Sequence, residues 1–522
     1  MTPDLVSIRL EPLSVELELP HGGSLVPGLA AHGFEFPCGG IGECSGCQVR
    51  VLSGSLPVTE ADADTLTPDQ LAKGWRLACQ ARAPDLPNAP LVLECLQWHM
   101  QILTDTATPS RTTSCPILSE SASADSERVG DQSASSTRGL AIAIDLGTTT
   151  IAAQLIDAAS GDVLGVETML NPQAAFGSDV MSRIRAALDG NDLATPIRLA
   201  LGQLVACLAR DRASQITEVL LVGNTVMHHL FCGLNVEPLS HVPFQSPHLA
   251  EQRFTPGEIG WDLPSHCVIR FVRCIGGFVG SDILAGIAAA GIANSSDLTA
   301  LVDLGTNGEI AIGNRHGIVC ASTAAGPAFE AGSIRMGMRA VTGAIAYVAL
   351  TEGSLRSTVI GDVAPRGICG SGLVDAIAAG LRSAAILANG RIADGSKIFP
   401  IAPPVVLCQS DIRELQLAKG AIAAGFRLLL KRLGADVSSL HAIYLAGAFG
   451  NYVQIESALR IGLLEAPHAL IHAAGNTALR GAKMFLLTDH EPQLPPIEHI
   501  SLAADPAFQD EFASCMTFPE PV

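Results

Sequence analysis

The sequence predicts an α/β protein in three parts: a small β-rich domain, a flexible tether and a larger two-lobed domain. Three observations predict it. A cysteine-rich loop, CGGIGECSGC, lies among short alternating strands near the start. A run of small polar residues, SESASADSERVGDQSASSTRG, then interrupts the chain and nearly lacks large apolar side chains, so it cannot bury a core. Beyond it two segments echo each other, LAIAIDLGTTTIAAQLID at 140–157 and LTALVDLGTNGEIAIGN at 298–314. The boundaries fall at 1–97, 98–138 and 139–522, with the last part dividing into lobes near 139–297 and 298–522.

A chain of 522 residues is too long for one core, and 48% apolar residues supply ample material for burial. The formal charge of −19 disfavours nucleic acid and anionic membrane surfaces, which want Lys and Arg clusters. No run approaches the ~18 apolar residues of a bilayer span. The opening MTPDLVSIRLEP lacks the basic and apolar regions of a signal peptide. Fourteen cysteines, split between one tight cluster and a scatter through apolar segments, fit a reducing compartment, and the expected location is the cytoplasm.

In the first part VSIRL and SVELEL read as strands, and SLVPGLAAHG as a helix with Pro27 in its first turn. A strand at 47–52, a polar stretch TEADADTLTPDQ and strands near 77–82 and 90–95 follow. This pattern looks like a β-grasp domain. Cys38, Cys44 and Cys47 form a C-x5-C-x2-C loop, with Cys79 as a remote fourth thiol on the expected strand. An iron–sulfur cluster needs four thiolates around a compact core, and Gly39, Gly40, Gly42 and Gly46 let the backbone wrap closely. Structural zinc more often shows two C-x2-C pairs. No histidine lies in the loop, which argues against a Rieske site. The spacing resembles plant- and adrenodoxin-type [2Fe–2S] ferredoxins, so these four cysteines are the expected ligands. Cys95 and Cys115 fall just outside the pattern.

In the repeated segments an apolar strand ends in Asp-Leu-Gly-Thr and turns into a second strand. Such a turn offers backbone N–H and hydroxyl groups to an anion, and the Asp can hold Mg²⁺ through water or orient an attacking water. Asp145, Gly147, Thr148, Thr149 and Thr150 form the first copy. Asp303, Gly305, Thr306, Asn307 and Glu309 form the second. YLAGAFGNY carries a third turn at Gly447, Ala448 and Gly450. GICGSGLVD opens a helix at Gly370, Ser371 and Gly372, whose N-terminus could meet phosphate or ribose. Further on, Asp411 and Glu414 read as a capping box for a helix with Ile412, Leu415, Ile422, Phe426 and Leu430 inward, closed by Gly434. There is no G-x-x-x-x-G-K-[ST] loop. The paired turns resemble the superfamily of acetate and sugar kinases, heat-shock chaperones and actin. That resemblance implies a two-lobed actin-like ATPase domain binding ATP with Mg²⁺, its phosphate motifs at 145–150 and 303–309 and its adenosine motif at 447–450.

A ferredoxin joined to such an ATPase is similar to the reductive activators of corrinoid enzymes. NPQAAFGSDVMSRI (171–184), VGNTVMHHLF (222–231), STAAGPAFEAGSIRMGMRA (322–340), DIRELQLAKGAI (411–422) and LAGAFGNY (445–452) resemble that family's signature segments. The resemblance implies ATP-dependent transfer of one electron from the cluster to a Co(II) corrinoid protein, restoring Co(I) for methyl transfer. The implied partners are that corrinoid protein and an electron-donating reductase, and the resemblance admits a homodimer. Asp145 and Asp303 would hold Mg²⁺ and its waters, with Glu309 polarising water. Asn171, Asn224, His228 and His229 read as caps or core residues. Members of the family carry a further domain between ferredoxin and ATPase, where here only the Ser-rich segment is expected. Two other readings stay open: an ATP-gated redox-sensing binding module, and an ATP-driven electron donor to a radical dehydratase. The second normally brings a short cysteine pair in the ATPase part, which this chain lacks. Through residue 97 five Lys/Arg face twelve Asp/Glu, a balance suited to a basic docking site on a reductase.

Overall fold

The computed structural model describes residues 5–11, 15–31, 42, 47–84, 91–95, 139–305, 307–450, 452–488 and 494–520. The expected tether at 98–138, together with Cys38, Cys44, Cys115 and Thr306, lies outside the described residues.

The N-terminal part runs β1 (Leu5–Glu11), β2 (Val15–Pro20), α1 (Val26–Ala31), β3 (Gln48–Ser53), α2 (Glu60–Thr65), α3 (Pro68–Ala72), β4 (Trp75–Leu77) and β5 (Leu91–Cys95). Its sheet order is β2-β1-β5-β3-β4, with β1 and β5 parallel and the other neighbours antiparallel. Val6, Ile8 and Leu10 alternate inward along β1 and share a core with Val49, Leu77 and Leu93. The polar stretch after β3 folds into α2 and α3 because Thr59 and Asp62 close a capping box, the Asp62 carboxylate receiving the Thr59 N–H at 2.8 Å. The other Asp62 oxygen accepts the Leu77 N–H at 2.6 Å. That bond ends β4 at Leu77, shorter than the strand expected at 77–82. Cys79 therefore stands in a turn rather than on a strand.

The first lobe contains β6 (Leu140–Leu146), β7 (Thr150–Asp157), β8 (Val163–Leu170), α4 (Val180–Leu188), α5 (Ala194–Ala209), β9 (Ile216–Gly223), α6 (Thr225–Cys232), β10 (Gln252–Phe254), α7 (Pro256–Ile259), β11 (Val268–Phe271) and α8 (Ser281–Ala289). The second begins β12 (Leu298–Leu304), β13 (Gly308–Asn314), β14 (Gly317–Thr323), β15 (Ala344–Thr351), β16 (Ser354–Val359), β17 (Gly367–Ile368), α9 (Gly370–Arg382), β18 (Ile398–Ala402) and β19 (Val405–Cys408). It continues α10 (Gln409–Arg432), β20 (Leu440–Ala446), α11 (Gly447–Gly450), α12 (Ile455–Arg460), β21 (Ile471–Gly475), α13 (Thr477–Leu487), β22 (Ile497–His499) and α14 (Phe508–Cys515).

The duplication is visible in strand order. One sheet runs β10-β11-β9-β6-β7-β8 and the other β21-β20-β12-β13-β14-β22. In each, an antiparallel three-strand meander meets two parallel strands, so β6 corresponds to β12, β9 to β20 and β11 to β21. Asp145 and Asp303 occupy matching places: Asp145 pairs with Ala152 and Val222, Asp303 with Glu309 and Ala446.

One helix of each half crosses toward the other. α8 sends Ile283 and Ile287 into a core with Leu301 and Ala311 of the second sheet. α13 sends Ala478, Leu479 and Ala482 into a core with Ala141 and Ala143 of the first. At their crossing a Cβ on Gly481 would lie 2.0 Å from the Ala285 carbonyl oxygen, so only glycine permits this approach. Helix α10 starts at Gln409, earlier than expected. Asp411 is its third residue and accepts the Cys408 N–H at 2.7 Å instead of acting as the cap. Ile412, Leu415, Ile422, Phe426 and Leu430 are all buried, and Gly434 follows the helix at φ +63.

Candidate functional site

The two Asp-Leu-Gly turns and the turn after β20 converge. A Cβ on Gly147 would sit 2.4 Å from the Thr150 carbonyl oxygen, so the first turn is as tight as its glycine allows. Two asparagines brace it. Asn171 donates to the Gly147 carbonyl at 2.9 Å while accepting the Gln173 N–H. Asn224 caps α6 through Met227 N–H and donates to the Thr148 hydroxyl at 3.0 Å. Both are caps, as the sequence suggested, and each also holds the turn. Thr149 reaches across and donates to Glu330 at 3.1 Å. His228 and His229 are core residues: His228 packs edge-on to Phe271, and His229 contacts the Thr225 carbonyl at 2.7 Å.

In the second lobe Gly305 N–H donates to the Asn307 carbonyl at 3.1 Å, and the Ser322 hydroxyl donates to Glu309 at 3.2 Å. Gly447 opens α11 at φ +83, and a Cβ there would fall 2.5 Å from an Asp303 carboxylate oxygen. The third turn thus lies directly against the second acid. Phe449 packs on Phe329 with ring centroids 4.9 Å apart. Gly370, Ser371 and Gly372 lie behind this pair and are occupied by packing. A Cβ on Gly370 would meet the Phe329 carbonyl at 1.7 Å, and the Ser371 hydroxyl donates to the Ala346 carbonyl at 2.8 Å. The hydroxyl points into the fold, so this helix start shapes the floor of the third turn.

Four buried carboxylates near the junction of the lobes are coupled through their charges. Burial pushes Asp145 up to about 6, against a bond from Asn476 that lowers it. Burial, then repulsion from Asp145, pushes Asp303 up to about 7. Asp282, at the start of α8, is raised by burial and by Asp303. Glu309 is raised well above its usual range by burial, then by Asp282 and Asp303. Among the described residues no three acids, histidines or cysteines stand close enough to ligate a metal together. The charge of four acids that resist ionising together is one that a hydrated Mg²⁺, held through its waters, would relieve. Asp282 and Asn476 escaped sequence reasoning. Their signal was positional, since each lies within two residues of a glycine at the start of a helix, in GSDI and GNTAL.

In the N-terminal part the Ala78 N–H donates to the Cys47 carbonyl at 2.9 Å, tying the loop's last cysteine to the Cys79 turn. Cys47 is buried and Cys79 half-buried. Gly42 has φ +90, and a Cβ there would lie 2.9 Å from that of Ala61, so the loop passes α2 only as glycine. A thiol pair joined this way beside a glycine-built loop fits two ligands of a cluster. Cys95 is an interior thiol of β5, pushed up to about 12 mainly by burial.

Comparisons with known proteins accord with this geometry. Residues 8–84 match the 2Fe-2S iron-sulfur cluster binding domain, 140–295 the RACo middle region, and 297–521 the C-terminal domain of RACo, the ASKHA domain. The middle-region match falls on the first lobe. The corrinoid activation enzyme RamQ of Eubacterium limosum is 35% identical over 412 residues, covering 71% of this chain and 69% of that protein. The [Co(II) methylated amine-specific corrinoid protein] reductase of Methanosarcina barkeri is 28% identical over 380 residues, covering 66% and 69%. A solved structure of a reductive activator for corrinoid, iron-sulfur protein superposes with TM-score 0.65 at 26% identity, covering 99% of this chain and 98% of its own. Mixed α/β architecture, an N-terminal [2Fe–2S] domain and an actin-like ATPase domain are thus common ground between fold and relatives. The chain belongs to the RACo family of reductive activators of corrinoid proteins.

Proposed function

We propose that this protein is an ATP-dependent activator that passes one electron from its [2Fe–2S] cluster to a Co(II) corrinoid protein, returning the cobalt to Co(I) for methyl transfer. One observation carries the reading: a single chain joins a thiol-bearing ferredoxin domain to two matching Asp-Leu-Gly turns whose buried Asp145 and Asp303 are coupled through their charges to Asp282 and Glu309. Cys38, Cys44, Cys47 and Cys79 hold the cluster, which supplies one-electron transfer when bound. In the cleft the Gly147 to Thr150 turn and Gly305 to Asn307 receive the ATP phosphates. Gly447, Ala448 and Gly450 accommodate the adenosine, with Gly370 to Gly372 supporting them from behind. Asp145 and Asp303 position Mg²⁺ and its waters. Glu309 or Asp282, raised by burial and then by their acidic neighbours, takes the proton of the attacking water once the cation's charge lets it ionise.

The energetics explain the need for ATP. Plant-type clusters lie near about −400 mV, and a resting Co(II) corrinoid is harder to reduce. A coupling of about 1–3 kcal/mol between sites moves a one-electron balance by roughly 40–130 mV. Inverting a two-state population, about 5.5 kcal/mol, moves it by roughly 230 mV. A coupling of that size is what lobe closure on ATP would supply toward the uphill step.

On the same reading the electron donor is a reductase that docks on the acidic ferredoxin face, where Glu60 and Asp64 are exposed. Among the described residues no helix is long and apolar enough to cross a membrane, and the described cysteines of the two lobes, Cys207 to Cys515, carry free thiols. We place the protein in the cytoplasm on the chemistry of its thiols. A homodimer is the assembly to examine by light scattering.

The test uses anaerobically reconstituted protein, a reductant and a Co(II) corrinoid protein, following the cobalt spectrum with and without Mg-ATP. Co(I) should appear only with ATP and an intact cluster. Asp303→Asn should abolish that dependence while leaving the cluster spectrum unchanged. Full activation by Asp303→Asn would sink the assignment.

A further inference from the structure

Gln80 follows Cys79 in the turn after β4, its backbone fixed by an N–H bond to the Leu77 carbonyl at 3.1 Å. Its side-chain nitrogen donates to Cys79 Sγ at 3.7 Å. An independent observation pins that side chain. A Cβ on Gly42 would lie 3.2 Å from both Gln80 Cγ and Nε2, so the amide is wedged against the cysteine loop. The loop is held in turn by the Thr65 hydroxyl, which donates to the Gly42 carbonyl at 3.0 Å. A pocket of about 570 Å³ opens beside the wedge, lined by Gln80 together with Glu60 and Asp64. The amide is thus an oriented neutral donor between a thiol and two acids.

We propose that Gln80 sets the reduction potential of the cluster through its hydrogen bond to Cys79, a reading that rests on Cys79 being a ligand. Reduction adds one electron from the external donor and breaks no bond. The cluster with its four thiolates passes from net charge −2 to −3. A donor N–H on a ligand sulfur stabilises the more negative state more strongly, so it raises the potential. Glu60 and Asp64 act in the opposite sense. Gln80 therefore keeps the cluster reducible by its donor in a strongly acidic domain, and it is a positioning residue rather than a catalytic one.

The test is a dye-mediated redox titration of the full reconstituted chain, read by the electron paramagnetic resonance of the reduced cluster. Gln80→Leu keeps the bulk and loses the donor. Its reduced-to-oxidised ratio at a fixed ambient potential should fall about tenfold, equivalent to ~59 mV. Resonance Raman adds a readout that packing alone would not move. The Fe–S(Cys) bands of the wild type should shift in D₂O, and that shift should shrink in Gln80→Leu. An unchanged potential at full iron and sulfide content overturns the proposal. If Gln80→Leu assembles no cluster, Gln80→Glu, of equal length, decides: a potential no lower than wild type, or loss of the cluster here too, assigns Gln80 a structural part only. Cys79→Ser separates the underlying reading, because a wild-type cluster spectrum in that variant removes Cys79 as a ligand whatever Gln80 does.

Discussion

The side-chain amide of Asn476 donates to the Asp145 carboxylate at 2.8 Å, joining the start of α13 to the first phosphate turn across 331 positions of chain. The Leu479 N–H fixes Asn476 from behind at 2.7 Å. The bond holds Asp145 below where burial alone would put it. Asn476→Ala should therefore move Asp145 further above about 6 and leave more of it protonated at neutral pH. A hydrogen bond to a charged group is worth about 1.5–3 kcal/mol, so Mg-ATP affinity should fall roughly tenfold or more near pH 7. The loss should shrink at pH 8.5, where Asp145 ionises regardless. Calorimetric titration at several pH values would show it, and a pH-independent loss would contradict the account.

The raised acids also fix how the nucleotide-free protein responds to pH. Asp145 and Asp303 titrate near about 6 and 7 in the fold against an ordinary 3.8, so the folded state binds more protons than the unfolded chain in between. Their relative contribution is fully present below pH 3.8 and is lost as pH rises through 6 and 7. The melting temperature in EDTA should accordingly decline between pH 5.5 and 8. Mg-ADP should flatten that decline, because the cation takes the place of the protons. A melting temperature that climbs steadily over this range in EDTA would be the contrary result.

Asp282 is buried and carries the added repulsion of Asp303 and Asp145, a cost to stability in the absence of a cation. Asp282→Asn removes one charge from a cluster whose members raise one another, so the nucleotide-free protein should melt a few degrees higher at pH 8. ATP turnover should fall by about a hundredfold or more if this acid takes or relays the proton of the attacking water. Differential scanning fluorimetry beside a phosphate-release assay tests both arms. Lower stability with full turnover would show that Asp282 serves the fold alone.

What the sequence revealed and what it hid divide along the range of the interactions. The two Asp-Leu-Gly turns were legible because strand alternation and turn chemistry lie within a few residues of each other. Asp282 and Asn476 were not, because they matter only once α8 and α13 cross and bring them against Asp145 and Asp303. Cys79 was expected on a strand because WRLACQ continues an apolar run. The Asp62 carboxylate, fifteen residues earlier, takes the Leu77 N–H and ends the strand there. At α10 the D-x-x-E pattern suggested a cap at Asp411, but that carboxylate serves the N–H groups of Cys408 and of the distant Arg335. At β4 a side chain fifteen residues away decided between locally plausible conformations, and at α10 the Asp411 carboxylate was shared between a local N–H and a distant one.

Gly447 combines a left-handed backbone with no room for a side chain. At φ +83 an alanine would be strained, and its Cβ would press on an Asp303 carboxylate oxygen at 2.5 Å. Strain of this kind costs about 1–3 kcal/mol. Gly447→Ala should weaken ATP binding by at least tenfold while the cluster signal stays as in the wild type. Equilibrium dialysis with labelled ATP, paired with the visible spectrum, measures both, and unchanged binding would detach the third turn from the nucleotide.

Glu330 holds the Thr149 hydroxyl at 3.1 Å from the opposite lobe. That hydroxyl cannot donate to Glu330 and to a phosphate oxygen at once, and a carboxylate beside the turn also repels the phosphates. Glu330 is tied to a deeper charge as well: burial lowers the guanidinium of Arg183 to about 9, and Asp179 first, then Glu330, counteract it. Arg183 is fully buried, its Nε donating to the Gly177 carbonyl at 3.0 Å. Glu330→Gln keeps the shape and removes the charge. Mg-ATP should then bind about three- to tenfold more tightly, since the phosphates no longer meet a competing anion. The same variant leaves Arg183 less well compensated, so the nucleotide-free protein should unfold at lower denaturant concentration. Tighter binding together with a lower urea midpoint would identify Glu330 as a cross-cleft counter-ion that ATP displaces. Weaker binding would place it instead among the groups that position the nucleotide.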